Sequence, residues 1–184
     1  FLVPYDEHLL EYSKEADSEI AMGIGKYVAR LVEDGDTIQV GYGSIPNAVL
    51  ANLKDKRHLG VHTELIGDGI IALMKMGVID NTRKTLNPGK TVTTFCLGNQ
   101  ETYNYLHDNP AIEFRTIDYT NHPLIIAQHD RMTAINSALE VDLTGQVCAD
   151  SLGPRPFSGV GGQMDFIYGA SRSEGGVPII ALPS

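Results

Sequence analysis

The sequence predicts an α/β domain in which an open, largely parallel sheet is flanked by helices. Short segments rich in β-branched residues alternate with segments whose apolar residues recur at helical spacing, and glycine- or proline-containing turns separate them. Alternation of this kind favours parallel strands, because each parallel connection needs a crossover element. The 184 residues suffice for one domain with a full core and are few for two.

The first half of the chain predicts two strands and three helices. A helix is expected from Lys14 to Glu33, where Ile20, Ile24 and Val28 recur at helical spacing, and a glycine follows it as is usual past a helix end. β-Branched residues indicate the strands, and a proline is tolerated in the first turn of a helix. The remaining elements expected here are a strand at 37–41, a helix that begins near Pro46, a strand at 59–64 and a helix at 69–76.

The second half continues the alternation. A long extended stretch at 132–147 turns at Thr144-Gly145, which leaves room for antiparallel strands. No internal repeat, low-complexity segment or linker interrupts the chain, so one domain is expected, with residues 1–12 as a lead-in segment. The other elements expected in this half are a strand at 91–97, a helix at 101–107, a strand at 112–117, a helix at 162–170 and a final strand at 177–182.

Composition excludes several classes of protein. Lys and Arg number 14 against 23 Asp and Glu, a net charge of -9, and no local basic patch offsets the repulsion from a nucleic acid. No apolar run is long enough for a membrane helix, and the N-terminus lacks a signal-peptide pattern, so a cytoplasmic protein is expected. Cys96 lies in a strand pattern typical of a core thiol. The six histidines form no metal-binding motif, and no metal is expected.

The two ends of the sequence suggest a piece of a longer protein. The chain starts at Phe1 without a methionine, and it stops at Ser184 directly after the strand-like run 179–182. A strand cut at its end is the expectation from this pattern.

A glycine turn follows the first predicted strand, at Gly41-Tyr42-Gly43-Ser44-Ile45-Pro46. Backbone N–H groups at such a strand-to-helix turn favour a phosphate or another anion. The dinucleotide fingerprint fails, because Pro46 occupies the third glycine position, and no Walker lysine follows. A tight turn without a ligand therefore stays open as the alternative.

A second candidate is the glutamate of His62-Thr63-Glu64, which ends the next predicted strand. Open α/β sheets bind ligands at the carboxyl ends of their strands, and a carboxylate there can serve as a base or a covalent nucleophile. An exposed loop glutamate is the alternative. His62 shares the strand face of Glu64, so it either orients the carboxylate or packs in the core.

Two further segments stand out. The run Ser158 to Phe166 contains Gly161-Gly162 before a helix, where backbone approaches a bound group closely or simply turns. Near the end of a strand, Glu140 and Asp142 alternate on one face, which indicates either a solvated face or a buried acid pair. Three glycine-rich or acidic turns at the ends of separate strands favour a common site.

These segments resemble the acetyl-CoA hydrolase/transferase family, and the likeness to its CoA-transferase members extends over essentially all 184 residues. Four ordered motifs carry it: QVGYGSIPNAVL at 39–50, LGVHTELIGDG at 59–69, INSALEVDLTGQV at 135–147 and SGVGGQMDF at 158–166. The resemblance implies a CoA-transferase-like fold. It also implies that residues 1–184 are an incomplete C-terminal catalytic domain, which is expected to be inactive or weakly active alone.

The resemblance also implies roles for individual residues. Glu64 would attack the thioester carbonyl of an acyl-CoA in ping-pong chemistry that passes through a glutamyl-CoA thioester. Coenzyme A would be a substrate rather than a tightly bound cofactor, and N–H groups of the turns at 41–43 and 161–162 would stabilise the oxyanions. The residues expected to contact coenzyme A are Gly41, Tyr42, Gly43, Ser44, Ile45, Leu139, Gly161 and Gly162.

The expected activity is transfer of coenzyme A between an acetyl- or butyryl-type acyl-CoA and a short-chain carboxylate such as 4-hydroxybutyrate. Family likeness implies a homo-oligomer, expected to be a dimer. Two alternatives stay open: an acyl-CoA hydrolase that uses the same glutamate, and a CoA-binding module without catalysis.

Overall fold

A four-stranded parallel sheet forms the centre of the domain. The computed structural model describes residue 4, residues 6–12 and residues 18–183. In that range the strand order of the central sheet is β12-β7-β1-β2. Its strands are β1 (Thr37–Val40), β2 (Gly60–Val61), β7 (Met132–Ser137) and β12 (Val177–Ala181). All three pairings are parallel, so the predicted fold class is confirmed.

Short strand pairs extend this sheet on the β2 side. A parallel bridge between His62 and Val92 links the end of β2 to β4. The β4 strand pairs in parallel with β6, and β3 pairs in parallel with β5. These strands are β3 (Leu65–Ile66), β4 (Thr91–Thr93), β5 (Phe95–Cys96) and β6 (Ile112–Phe114).

Seven α-helices cover or flank the sheet within the described range. Ser18 caps the first of them by accepting a hydrogen bond from the N–H of Ala21. That helix packs closely on α2, since a Cβ at Gly25 would stand 2.6 Å from the backbone of Ala48. The helices are α1 (Glu19–Val28), α2 (Ser44–Ala51), α3 (Asp68–Lys75), α4 (Gln100–Leu106), α5 (Ile117–Thr120), α6 (Pro123–Ile126) and α7 (Gln163–Arg172).

Two apolar clusters lie on the sheet. The larger one joins α1, α2 and α3 to β1 and β2 and includes Ile38, Leu53 and Leu73. The smaller one packs α7 and α6 against β7 around Phe166. Helices therefore anchor to both sides of the central strands, and the loops at the strand ends are left to form a site.

Several predicted element bounds are wrong in detail. The helix expected from Lys14 begins at Glu19, its α-helical part ends at Val28, and 14–17 fall outside the described residues. The helix expected near Pro46 is confirmed and starts at Ser44, with Gly43 as its N-cap at a positive φ. The strand expected at 91–97 divides at Thr94 into β4 and β5.

Other corrections concern the second half of the chain. The strand expected at 112–117 ends at Phe114, and the helices α5 and α6 follow it unpredicted. The stretch at 132–147 does contain antiparallel structure, because β8 (Glu140–Val141) pairs with β9 (Val147–Cys148) across the predicted turn. A second short hairpin, β10 (Ser151–Leu152) with β11 (Arg155–Pro156), was not predicted.

No helix in the described part of the chain is long and apolar enough to cross a membrane.

Candidate active site

The carboxyl ends of the parallel strands gather the candidate residues at one edge of the sheet. Gly41 follows β1, Glu64 follows β2 and its bridge at His62, and Ser137 ends β7. The β1 and β2 ends are held together where Thr63 Oγ1 donates a hydrogen bond to the carbonyl of Val40 at 3.5 Å. This is the edge at which open α/β sheets bind their ligands.

Glu64 is half-buried, and its backbone is held firmly. Its carbonyl accepts hydrogen bonds from Thr93 Oγ1 at 3.1 Å and from the N–H groups of Thr94 and Phe95 at 3.0 and 3.1 Å. Its carboxylate receives one hydrogen bond within the described residues, from Asn121 Nδ2 to Oε2 at 2.7 Å. The backbone is therefore fixed while most of the carboxylate's accepting capacity is unused.

Gly162 lies against this carboxylate. A Cβ at position 162 would overlap both Glu64 Oε2 and Asn121 Nδ2, so any larger residue would displace the ends of these two side chains. Gly162 is the N-cap of α7, and the next residue, Gln163, donates from Nε2 to the carbonyl of Ser137 at 2.6 Å. The helix start is thereby pinned to the end of β7 with its backbone against Glu64.

Asp165 brings a second negative charge to this edge. It lies in the first turn of α7. Partial burial raises its pKa, the charge of Glu64 raises it further, and the charge of His122 lowers it. Two carboxylates near the start of one helix keep local negative charge high unless a proton or a positive group enters the site.

The two glycines of the turn after β1 have different roles. The N–H of Gly41 donates to the carbonyl of Ile135 at 2.8 Å, and a Cβ there would stand 3.0 Å from Asn136 Oδ1. The N–H of Gly41 is therefore used in a hydrogen bond within the sheet and is not a donor to a ligand, contrary to the expectation that the turn at 41–43 supplies oxyanion donors. Gly43 has a φ of 127°, which a residue with a side chain rarely adopts.

A cavity opens beside this turn. Its volume is about 320 Å³, and most of its wall is apolar. Gly41 and Tyr42 line it together with Leu65 and Gly67, the residues that follow Glu64 along the chain. Tyr12 of the lead-in segment meets Tyr42 edge-to-face at 5.3 Å between ring centroids and also lines the cavity.

The other predicted contact residues have different environments. Ser44 is exposed at the start of α2, whereas Ile45 is buried in the core and offers a ligand only its backbone. Leu139 is half-buried, and its N–H donates to the carbonyl of Cys148 at 2.9 Å. Gly161 is exposed with open space around it, unlike its neighbour Gly162.

His62 is buried beneath the site, and His122 lies at the end of a helix. His62 is fully buried; burial and the charge of Lys84 lower its pKa to about 4, although the Thr120 carbonyl that it bonds at 2.8 Å opposes the shift. The structure gives His62 no contact with the Glu64 carboxylate. His122 caps α6 by accepting from the N–H of Leu124 at 3.2 Å.

The remaining acids and the thiol that the sequence singled out, Glu140, Asp142 and Cys96, have environments unlike that of Glu64. Glu140 and Asp142 are exposed, which excludes a buried acid pair, and Asp142 accepts turn hydrogen bonds that lower its pKa. Cys96 is a free thiol that packs half-buried against the core, where burial raises its pKa to about 11. Among the residues described, no group of three His, Cys, Asp or Glu side chains is arranged to hold a metal ion.

Asn121 is the site residue that sequence reasoning missed. It follows α5 as its C-cap, where its N–H donates to the carbonyl of Ile117 at 2.9 Å. The signal lay in Asn121-His122-Pro123, a turn pattern in which a proline opens the next short helix. The pattern indicates a turn, but nothing in it indicates that the turn reaches Glu64, 57 residues earlier in the chain.

Comparison with known proteins places this geometry in context. The family model described as acetyl-CoA hydrolase/transferase C-terminal domain matches residues 98–184. The whole chain is 48% identical to 4-hydroxybutyrate coenzyme A transferase of Clostridium kluyveri and covers 43% of that protein. A more distant likeness, 28% over 170 residues, links it to acetyl-CoA hydrolase of Kluyveromyces lactis and covers 90% of this chain and 30% of that protein.

Solved structures agree with the sequence comparison. The structure of RipA from Yersinia pestis superposes with a TM-score of 0.88 at 44% identity, over 96% of this chain and 39% of that one. That of 4-hydroxybutyrate CoA-transferase from Porphyromonas gingivalis gives 0.85 at 41% identity, over 97% and 42%. The chain therefore spans about two-fifths of the length of the relatives it matches.

Proposed function

The chain belongs to the acetyl-CoA hydrolase/transferase family, and from that premise we propose that it carries the nucleophile of an acyl-CoA:carboxylate CoA-transferase. The observation that carries the proposal is the carboxylate of Glu64, held by Asn121 at 2.7 Å against the backbone of Gly162. A fixed, half-open carboxylate at the ligand-binding edge of the sheet suits covalent catalysis. Coenzyme A is proposed as the group transferred.

The first half of the proposed reaction forms an enzyme-bound thioester. A carboxylate oxygen of Glu64 attacks the carbonyl carbon of the acyl-CoA, and the C–S bond breaks to release CoA thiolate and leave an acyl-glutamyl anhydride. The thiolate then attacks the glutamyl carbonyl and expels the acyl group as a free carboxylate. The incoming carboxylate reverses both steps, so charge and atoms balance over the cycle. Division of one difficult step into easier ones is the benefit of such catalysis.

Oxyanion stabilisation is assigned to the start of α7. Each attack produces a tetrahedral oxyanion, and the loss of one N–H donor to such a group typically costs about 2.7–4 kcal/mol of barrier. The N–H groups of the first turn have no partner within the helix itself and lie at the positive end of its dipole. Gly162, where backbone meets the Glu64 carboxylate, supports this assignment. The N–H of Gly41 is left out, since it is bonded in the sheet.

The acceptor is proposed to be a short-chain carboxylate, with 4-hydroxybutyrate as the first candidate. This substrate comes from the name of the relative that is 48% identical over the whole chain. A hydrolase would use the same Glu64 with water as the acceptor. The difference is measurable, because acyl-CoA loss by a transferase depends on an added carboxylate.

The test uses the longest natural polypeptide that contains this chain. Glu64→Gln keeps the shape of the side chain and removes the nucleophile, so acceptor-dependent transfer should fall by at least about 10³-fold while acyl-CoA still binds. Glu64→Asp moves the carboxylate back by one methylene, and a loss of around 10²-fold is expected. The matched control is Glu33→Gln, an exposed acid at the opposite end of the sheet. A fully active Glu64→Gln enzyme would overturn the proposal.

A further inference from the structure

A closed loop of contacts joins His62 to the Glu64–Asn121 pair. His62 lies two residues before Glu64 on the chain, and its ring nitrogen Nε2 is 2.8 Å from the carbonyl of Thr120. Thr120 is the residue directly before Asn121, whose amide reaches back to Glu64 Oε2 at 2.7 Å. Two hydrogen bonds and two short stretches of backbone therefore close a ring.

The hydrogen bond from His62 has a defined direction. A carbonyl oxygen only accepts, so Nε2 carries the proton and donates it to Thr120. His62 is 0% exposed, and its Nδ1 atom is buried without a partner among the described residues. Its lowered pKa, about 4, agrees with a neutral ring that bears a single proton. A single hydrogen bond, from His62 Nε2 to the Thr120 carbonyl, therefore makes this contact.

The ring of His62 is itself held on several sides. His129 lies 4.6 Å away, and Tyr119 and Phe166 lie 6.2 Å away, between ring centroids. Tyr119 belongs to α5, which carries Thr120, and Phe166 belongs to α7, whose start carries Gly162. Buried rings in fixed packing keep the donor in place.

We propose that His62 is a positioning residue that fixes the Asn121 amide, through the Thr120 carbonyl, against the Glu64 carboxylate. The inference deepens the proposed function and rests on it for its kinetic consequence. The turn after α5 is anchored from the sheet by this hydrogen bond. Without it, the peptide between Thr120 and Asn121 loses that anchor, and the amide no longer holds Glu64 in its attacking orientation.

His129 provides a matched comparison. It is equally buried at 0% exposure and touches the same ring, but neither of its nitrogens has a partner in the described residues. A purely structural role for this buried cluster predicts similar effects of changing either histidine. A positioning role predicts that only changes at His62 reach Asn121.

The test measures the Asn121 side chain directly. In the full-length protein with isotopically labelled asparagine, the Asn121 amide resonances are assigned by their loss in Asn121→Asp. They should shift when Glu64→Gln is introduced into the wild type and into His129→Leu. They should lose that response in His62→Leu and in His62→Asn, whose shorter side chain cannot reach Thr120. They should recover it in His62→Gln, whose amide places a donor near the position of Nε2.

Kinetics give the second readout. His62→Asn should lower kcat by about 10- to 100-fold with KM for the acyl-CoA changed less than about threefold, because orientation rather than binding is lost. His62→Gln should recover most of kcat, and both variants are polar, which keeps the pair comparable if His62→Leu fails to fold. An Asn121 signal that still responds to Glu64 in His62→Asn would overturn the positioning role. The amide readout needs no transferase activity, so an inactive wild type would reject the proposed function alone.

Discussion

Two carboxylates at opposite ends of the same sheet have opposite environments. Asp36 precedes β1, and its two oxygens accept from Arg131 Nε and Nη2, from the N–H of Glu33 and from Thr133 Oγ1, at 2.8–3.0 Å. Glu64 follows β2 and accepts one hydrogen bond to its carboxylate within the described residues, from Asn121. The Asp36 carboxylate is saturated with donors, whereas the Glu64 carboxylate can accept further hydrogen bonds.

The difference separates a structural acid from a reactive one. Four donors stabilise the charge of Asp36 and leave it no capacity to accept another group. The Asn121 amide that binds Glu64 has its Oδ1 atom buried without a partner in the described part of the chain, although Thr37 Oγ1 next to Asp36 is unpaired there too. A carboxylate with unused accepting capacity, beside an amide whose oxygen is unpaired, is typical of a functional site.

The largest expected effect on stability comes from removing the charge of the saturated carboxylate, Asp36. Asp36→Asn removes a buried charge that Arg131, itself half-exposed, pairs with, and we expect a loss of about 2–4 kcal/mol in the free energy of unfolding. Glu64→Gln should change that free energy by less than about 0.5 kcal/mol. Urea denaturation of both variants measures the contrast. Equal destabilisation would remove the distinction between the two ends.

The next prediction concerns the environment of Glu64 and uses a substitution that changes no charge. Gly162→Ala places a methyl group on Glu64 Oε2 and Asn121 Nδ2, so the pair is pushed apart and transfer should fall by about 10²-fold. Gly161→Ala is the matched control, since nothing lies within 4 Å of a Cβ there. Steady-state rates for the two alanine variants provide the measurement. Similar rates would show that the close approach at Gly162 has no catalytic role.

A smaller effect, dependent on pH, concerns the buried histidine His129. Burial, with the charges of His62 and Lys84, lowers the pKa of His129 from 6.5 to about 2. Below pH 6.5 His129 is therefore protonated in the unfolded chain but stays neutral in the native state. The free energy of unfolding consequently falls as the pH falls. His129→Leu removes this loss, so its stability relative to wild type should rise by about 1.4 kcal/mol per pH unit below 6.5.

The measurement is urea denaturation of wild type and His129→Leu at pH 7 and pH 5. The difference in unfolding free energy between the two proteins should shift in favour of the variant by about 2 kcal/mol on acidification. A difference that is the same at both pH values would mean that His129 is protonated in the native state or is not buried.

Local sequence patterns predicted the strands that build the site. β-Branched residues marked β1 and β12, and β7 lies within the extended stretch predicted at 132–147. Glu64 was singled out as the end of a strand predicted at 59–64, although β2 itself ends at Val61. Gly162 was marked by a glycine pair before a helix. The sequence did not indicate that Gly162 packs against Glu64 and Asn121, because these residues are distant from it along the chain.

The parts that escaped prediction depend on tertiary contacts. The helices α5 and α6 are four residues each, too short for an apolar period to register. Asn121 reaches Glu64 only because those two helices fold its turn onto the sheet edge. The hydrogen bond that the N–H of Gly41 donates to Ile135 likewise depends on the pairing with β7, which the glycine motif does not indicate.

The most direct test of the central claim traps the enzyme-bound thioester on Glu64. The longest natural polypeptide containing this chain is incubated with acyl-CoA, treated with borohydride, which reduces a glutamyl thioester to the alcohol, and digested for mass spectrometry. The account predicts that reduction is confined to the peptide containing Glu64, requires acyl-CoA and is absent in Glu64→Gln. Unmodified Glu64 in an enzyme that still transfers coenzyme A, or reduction at another carboxylate, would contradict it.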